Sequence, residues 1–364
     1  MKKYVILRTA AVFLAAVLLC SLPVGAVSAK SVVLIDGLTG RVLYEKDADR
    51  QSLIASTTKI MTALIVCEQC NVLDRMRIPR EAVGIEGSSM YLKEDQVLTL
   101  QELLYGMMLS SGNDAATALA IYCGGTVEGF AQLMNDKARL LGLTNTHFVN
   151  PHGLDAPGHY STARDLAVLT AYAMKNPIFA QTVSTKSVTI GAQQLTNHNK
   201  LLWQLKGADG VKTGFTKAAG RILVSSAVRQ GRRLICVTIH DPNDWADHKA
   251  LYEDGFANYR ERKLVDAGQV MGQLTVLGGQ KTSVNLCSKS DFSYALTKDE
   301  RVSYVLSAKE FAYAPVVAGG NAGFAYICID GKVAGKVPVY YEETIEQPVQ
   351  EKKNLWQRWF GGKG

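Results

Sequence analysis

The chain has 364 residues, 47% hydrophobic and 20% charged, which is the composition of an ordinary globular protein with length for two domains. The net charge of +7 is modest, and no basic block is interleaved with aromatics, so no nucleic-acid partner is expected. Internal repeats and low-complexity stretches are absent.

The first element is a leader. Lys2, Lys3 and Arg8 give a basic start, an apolar run follows through Leu19, and Val27-Ser28-Ala29 places small residues where a signal peptidase reads. Residues 1–29 are therefore expected to be a signal peptide cleaved after Ala29. Pro23 and Gly25 interrupt the apolar run and argue against an uncleaved span. Leu19 before Cys20 is too bulky for a lipoprotein site. Loss of the leader lowers the net charge to about +4.

Val32 to Asp36 and Arg41 to Tyr44 read as strands around a turn at Gly37 to Gly40. Ile60 to Cys67 suits a buried helix starting near Ser56. Leu100 to Ala120 continues helical, broken at Ser110 to Asn113. Val127 to Leu141 is an amphipathic helix stopped by Gly142. Thr162 to Asp165 reads as a capping box opening a helix toward Lys175, which ends before Pro177. Strand propensity rises from Val183 to Ile190. Arg221 to Val228 and Arg233 to Ile239 are two further strands, and Asn243 to Phe256 is a closing helix. Strands at both ends of a helical middle predict an α+β domain whose sheet joins distant segments.

Past about Arg260 the texture changes. Gly278-Gly279, Gly319-Gly320 and Asp330-Gly331 punctuate short alternating stretches, which predicts a small all-β domain. In the tail, Leu355, Trp356, Trp359 and Phe360 share one helical arc, with Lys352, Lys353, Arg358 and Lys363 nearby. This is the pattern of an amphipathic helix lying in an anionic membrane surface. The expected boundaries are leader 1–29, first domain 30–258, all-β domain 259–341, and linker with anchor helix 342–364.

Six cysteines remain after the leader. Cys67-x-x-Cys70 has no second pair to complete a zinc site and lies late in an apolar helix, so no metal or cofactor is expected. Which cysteines pair is left open.

The chemistry lies in three short motifs: Ser56-Thr57-Thr58-Lys59, Ser111-Gly112-Asn113 and Lys212-Thr213-Gly214. A serine hydroxyl needs an adjacent base to act as a nucleophile. On a helix Lys59 faces the same way as Ser56, and its amine accepts the serine proton if burial or a second cation such as Lys212 lowers its pKa. Ser111 offers a hydroxyl to relay a proton to a leaving amine. Asn113 offers an amide to orient Lys59 and hold a substrate peptide group. Lys212 and Thr213 suit a substrate carboxylate, and Gly214 lets a substrate backbone approach the strand edge. The N–H groups of Ser56 and Phe215 are the expected oxyanion hole.

These motifs, in this order, match the signature of penicillin-binding proteins and class A β-lactamases. The chain resembles the low-molecular-mass penicillin-binding proteins of the D-alanyl-D-alanine carboxypeptidase family over nearly its whole length. Asn150-Pro151-His152-Gly153-Leu154-Asp155, His159 to Asp165, and Asn197-His198-Asn199 before Asp209 to Gly214 extend the match. The resemblance implies a β-lactamase/transpeptidase-like domain, with an antiparallel sheet flanked by helices and a helical subdomain. A small all-β domain and a C-terminal amphipathic helix would follow it. It implies that Ser56, with Lys59, Ser111 and Lys212 as the other catalytic groups, removes the terminal D-Ala from peptidoglycan stem peptides through an acyl-enzyme. β-Lactams would acylate the same serine. With the leader and tail, it also implies an exported protein, peripheral on the outer face of the cytoplasmic membrane. Some relatives carry arginine where His198 stands, to hold the terminal carboxylate, and histidine where Phe215 stands. Endopeptidase action on cross-links and a non-catalytic wall-binding role are the alternatives. The glutamate element of a class A β-lactamase is missing.

Overall fold

The structure is a computed structural model that describes residues 27–349. The leader through Ala26 and the anchor helix expected beyond Val349 lie outside the described residues. The chain divides into two units between Tyr259 and Arg260.

Nine strands form in the first unit: β1 (Ser31–Asp36), β2 (Val42–Lys46), β3 (Arg75–Arg77), β4 (Val97–Thr99), β5 (Ser187–Ile190), β6 (Gln193–Thr196), β7 (Ala208–Thr216), β8 (Gly220–Arg229) and β9 (Arg232–Ile239). Its helices are α1 (Lys59–Gln69), α2 (Leu100–Leu109), α3 (Asn113–Gly124), α4 (Val127–Leu140), α5 (Ala163–Ala173), α6 (Pro177–Ser184), α7 (Leu201–Gln204) and α8 (Asp244–Asn258). The main sheet runs β2-β1-β9-β8-β7, with every neighbouring pair antiparallel. Strand β7 is therefore an edge.

All six residues of β1 are buried, because the sheet is covered on both faces. Val33 and Ile35 join the core under the helical subdomain, whereas Val32 and Leu34 join Leu251 and Tyr252 of α8. Successive side chains of a strand point to opposite faces, so one short apolar run serves both cores.

Local signals explain most helix ends. The Gly142 brake is present, with φ of 72° just past α4. The capping box expected at Thr162 is half formed. Thr162 Oγ1 accepts from Asp165 N at 3.0 Å, but the Asp165 carboxylate turns away to Asn145 N and the Thr146 hydroxyl. Aspartate is one methylene too short to reach back to the cap, and a neighbouring loop takes its oxygens. A complete box forms at Thr99 and Glu102, opening α2. Cys70 pairs with Cys123, joining the ends of α1 and α3. Cys67, Cys236, Cys287 and Cys328 are free and buried.

The folded unit begins earlier than the sequence boundary. Val27 and Ala29 are buried, Lys46 Nζ donates to the Ala29 carbonyl at 2.8 Å, and Ser28 Oγ lies between the Asp241 and Asp247 carboxyl groups at 2.7 and 2.8 Å.

The second unit is all β. A six-stranded sheet runs Val302–Ala308, Asn321–Ile329, Lys332–Tyr341, Ser283–Ser288, Val270–Leu277 and Phe311–Tyr313, with only the last pair parallel. Arg260–Val265 pairs with Phe292–Leu296. Leu274, Leu286, Leu296, Ile327 and Val337 fill its core. No helix among the described residues is long and apolar enough to cross a membrane.

Candidate active site

Ser56 does not sit on an α-helix. It lies in a 3₁₀ turn, Ala55 to Thr58, that runs directly into α1. In a 3₁₀ turn residues i and i+3 eclipse, which sets Lys59 over the serine more squarely than an α-helix would. Lys59 Nζ lies 3.0 Å from Ser56 Oγ. Its other two donors go to Asn113 Oδ1 at 2.6 Å and the His152 carbonyl at 2.8 Å. The amine is fully buried. Burial first, and the Lys212 charge second, hold its pKa well below the usual lysine range, against an opposing pull from Asp114.

Lys212 is also buried and donates to Ser111 Oγ at 3.1 Å and to the Thr213 carbonyl at 2.8 Å. Burial lowers its pKa to about 7. Two lysines thus share a dry site, each within hydrogen-bond distance of one serine hydroxyl: Lys59 of Ser56 and Lys212 of Ser111.

The backbone around these serines is held in unusual conformations. Ala55 has φ of 45° and Ser111 has φ of 61°, both left-handed and costing on the order of 1 kcal/mol each for a residue with a Cβ. The turn that carries Ser56 is clamped from two sides. A Cβ on Gly153 would lie 1.8 Å from the Ala55 carbonyl oxygen, so only glycine lets the 150–155 loop reach it. A Cβ on Gly214 would lie 3.2 Å from Ile54 O and 3.3 Å from Ser56 N. Sequence reasoning assigned Gly214 to the approach of a substrate. The structure shows that its bare face also packs against the turn that carries Ser56.

Asn113 spans the site, accepting from Lys59 and donating to the Glu86 carbonyl at 2.5 Å. Next to it, Asp114 accepts from Met90 N, Leu92 N and the Ser89 hydroxyl at 2.9, 3.0 and 2.7 Å, which fixes the 86–92 loop beside the cleft. His159 Nδ1 accepts from Val149 N, so its Nε2 carries the proton donated to Thr58 Oγ1 at 2.8 Å. Burial first, then nearby His147, brings the His159 pKa down to about 4, and it stays neutral.

The cleft measures 620 Å³. Ser56, Ser111, His198, Thr213, Gly214 and Phe215 all line it. The His198 pKa is lowered by burial and then by Lys212, so this position offers an uncharged ring where an arginine would be a permanent cation. Phe215 is 65% exposed at the mouth. Because β7 is an edge, every second N–H along it points out of the sheet, which suits pairing with an extended peptide. Among the described residues no cluster of metal-ligating side chains occurs.

A family model described as D-alanyl-D-alanine carboxypeptidase matches residues 19–243. The chain belongs to this family. A second model, the C-terminal domain of penicillin-binding protein 5, matches residues 259–347. The chain is 32% identical over 335 residues to D-alanyl-D-alanine carboxypeptidase DacF of Bacillus subtilis, covering 88% of this chain and 86% of that one. It is 33% identical over 341 residues to D-alanyl-D-alanine carboxypeptidase DacC of Escherichia coli, covering 88% and 85%. The crystal structure of penicillin-binding protein 5 from Haemophilus influenzae superposes with a TM-score of 0.78 at 31% identity, covering 90% of this chain and 99% of that one.

Family membership does not explain why particular residues serve this site, and the structure adds three that sequence reasoning missed. The His152 carbonyl completes the grip on Lys59. Asp114 holds the neighbouring loop. Thr62 Oγ1 donates to the Pro151 carbonyl at 2.6 Å and pins the 150–155 loop to α1. The Asn-Pro-His-Gly run marked that loop as distinctive, but only its contact with Ala55 shows what it is for.

Proposed function

We propose that the protein is a serine D-Ala-D-Ala carboxypeptidase that trims peptidoglycan stem peptides and is acylated at Ser56 by β-lactams. The observation that carries this is the pair of buried lysines, each bonded to one serine. Neutral Lys59 takes the Ser56 proton as Oγ attacks the penultimate D-Ala carbonyl. The Ser56 and Phe215 N–H groups receive the developing oxyanion. Lys212, through Ser111, returns a proton to the leaving D-Ala amine. The proton held on Lys59 then moves to the depleted Lys212, and the neutral Lys59 amine takes a proton from the water that cleaves the ester and returns it to Ser56 Oγ. Thr213 and His198 hold the terminal carboxylate, and Asn113 holds the acyl peptide group.

D-Ala release from diacetyl-Lys-D-Ala-D-Ala, read beside the intact mass of a penicillin adduct, tests this. Release with an adduct on Ser56 is expected. An adduct without release would favour endopeptidase action, and neither signal would favour a wall-binding protein.

The leader, the aromatic and basic tail, and the Cys70–Cys123 disulfide all support an exported protein on the outer face of the cytoplasmic membrane. Export would cleave the leader after Ala26 rather than Ala29, because Val27 and Ala29 are buried and Ser28 bonds to two aspartates. Val24-Gly25-Ala26 supplies equally small residues. N-terminal sequencing of exported protein should read Val27; a Lys30 start would overturn this boundary.

A further inference from the structure

Away from the cleft, the amino-terminal segment of the first unit rests on two carboxyl groups. Asp241 follows β9, and Asp247 lies in the first turn of α8. Ser28 joins them. Its N–H donates to Asp247 Oδ2 at 2.7 Å, and its hydroxyl oxygen lies 2.7 Å from Asp241 Oδ1 and 2.8 Å from Asp247 Oδ2. Asp241 is fully buried. Its Oδ1 also accepts from Asn243 N at 3.1 Å, but its Oδ2 has no hydrogen-bond partner among the described residues. One hydroxyl carries one proton, so it can donate to only one of the two carboxyl groups. Burial, more than the nearby Asp247 charge, raises the Asp241 pKa, against the hydrogen bond from Ser28.

Buried carboxyl groups so arranged call for a cation. The Lys46 ammonium reaches this segment from β2, but it donates to the Val27 and Ala29 carbonyls at 3.3 and 2.8 Å. His248 of α8 has its ring nitrogens on Ser225 and Thr238, and burial brings its pKa down to about 3, so it is uncharged. Two carboxyl groups alone make a poor calcium site, since that ion takes about six to eight oxygens.

Residue 27 is where a cation can arise. In the precursor, Val27 N is an uncharged amide; cleavage after Ala26 turns it into an α-ammonium with three donors. Val27 is buried, and the N–H of the next residue already rests on Asp247. Successive backbone nitrogens are no more than about 4 Å apart, so the new ammonium lies within about 7 Å of the Asp247 carboxylate. Opposite charges at that range in a half-buried site favour each other's ionised form. We infer that Asp241 and Asp247 form a socket for the α-ammonium of Val27, so that removal of the leader completes an ion pair tying the amino terminus to the end of β9 and to α8. This rests on cleavage after Ala26 and gives that boundary a structural role. Cleavage after Ala29 would discard Ser28 and leave the two carboxyl groups without the residue that joins them.

The test compares the mature chain 27–364 with one that begins two residues earlier, at Gly25. The longer chain moves the amine away and keeps every residue of the site. Each length is made with both aspartates intact and as Asp247→Asn, which preserves shape and still accepts from Ser28 N. In urea the Val27 chain should have an unfolding constant about fivefold lower than the Gly25 chain, the range of a half-buried charged hydrogen bond. Asp247→Asn should bring the two lengths together. A second reading does not depend on unfolding. A limiting dose of an amine-acylating reagent, followed by the mass of the amino-terminal peptide, should modify the Val27 amine several-fold more slowly in wild type than in Asp247→Asn. Penicillin acylation checks that each chain is folded.

Equal stability of the two lengths would overturn the socket, whatever the reactivity of the amine. Calcium that raised the Gly25 chain to the stability of the Val27 chain would assign the carboxyl groups to a metal instead. A Lys30 start of the exported protein would remove the boundary and the socket with it, whereas a Val27 start with equal stabilities would remove the socket alone.

Discussion

The two units bury very different things. The first encloses Lys59, Lys212, Asp114, Asp241, His159 and His248, whereas Ser288 is the one buried polar side chain among the described residues of the second. A buried charge costs several kcal/mol unless it is met by partners. A domain that only needs to hold its shape does better with an apolar interior, and the all-β unit has one. The catalytic unit keeps two lysines out of water with no described carboxylate bonded to either, and both amines are held below the ordinary lysine range, Lys212 at about 7. The difference marks where stability gives way to chemistry.

Four measurements sharpen that contrast. The largest effect falls on the nucleophile. Ser56→Ala should abolish penicillin labelling and lower D-Ala release by on the order of 10⁴-fold or more, with the circular dichroism spectrum unchanged. Persistent labelling would move the nucleophile elsewhere.

Next comes the clamp on the nucleophile's turn. Gly153→Ala should lower stability by on the order of 3 kcal/mol and slow acylation, since its Cβ must displace the Ala55 carbonyl. Wild-type acylation by this variant would mean that the turn does not depend on the loop.

The third is a pH signature. Between about 7 and the ordinary lysine value of about 10.4, the unfolded chain holds a proton on Lys212 that the folded chain does not. Stability therefore rises with pH across that window, by up to about 1.4 kcal/mol per unit from this group. Urea denaturation of Lys212→Met should show a flatter dependence between pH 7 and 9. An unchanged slope would place the titration on another residue. In the same window D-Ala release should fall as Lys212 loses the proton it relays.

The smallest effect belongs to the second unit. Ser288→Ala, which removes a hydroxyl donating to the Ser290 carbonyl at 2.7 Å, should cost about 1 kcal/mol and leave acylation untouched. A loss of acylation there would show that the β unit reaches into catalysis.

The sequence determined what nearby residues can specify. The apolar run of β1 before its turn, the brake at Gly142 and the Ser56–Lys59 spacing act within a few residues, so composition, spacing and turn chemistry reveal them. The three motifs pointed to the reaction class and offered candidates for the nucleophile and the bases, because that chemistry demands those residue types. Tertiary structure decided everything that depends on distant segments meeting. Lys59 finds the His152 carbonyl 93 residues away, and Lys212 finds Ser111 across 101 residues. A backbone carbonyl carries no residue type, so no sequence pattern announces it. The choice of Cys123 as partner for Cys70 and the 3₁₀ turn under Ser56 follow from packing alone. Gly214 shows the division most plainly. Its identity was legible as part of a motif, but the neighbour that would crowd a side chain there, the turn at Ile54 to Ser56, becomes visible only when strand β7 is laid against it.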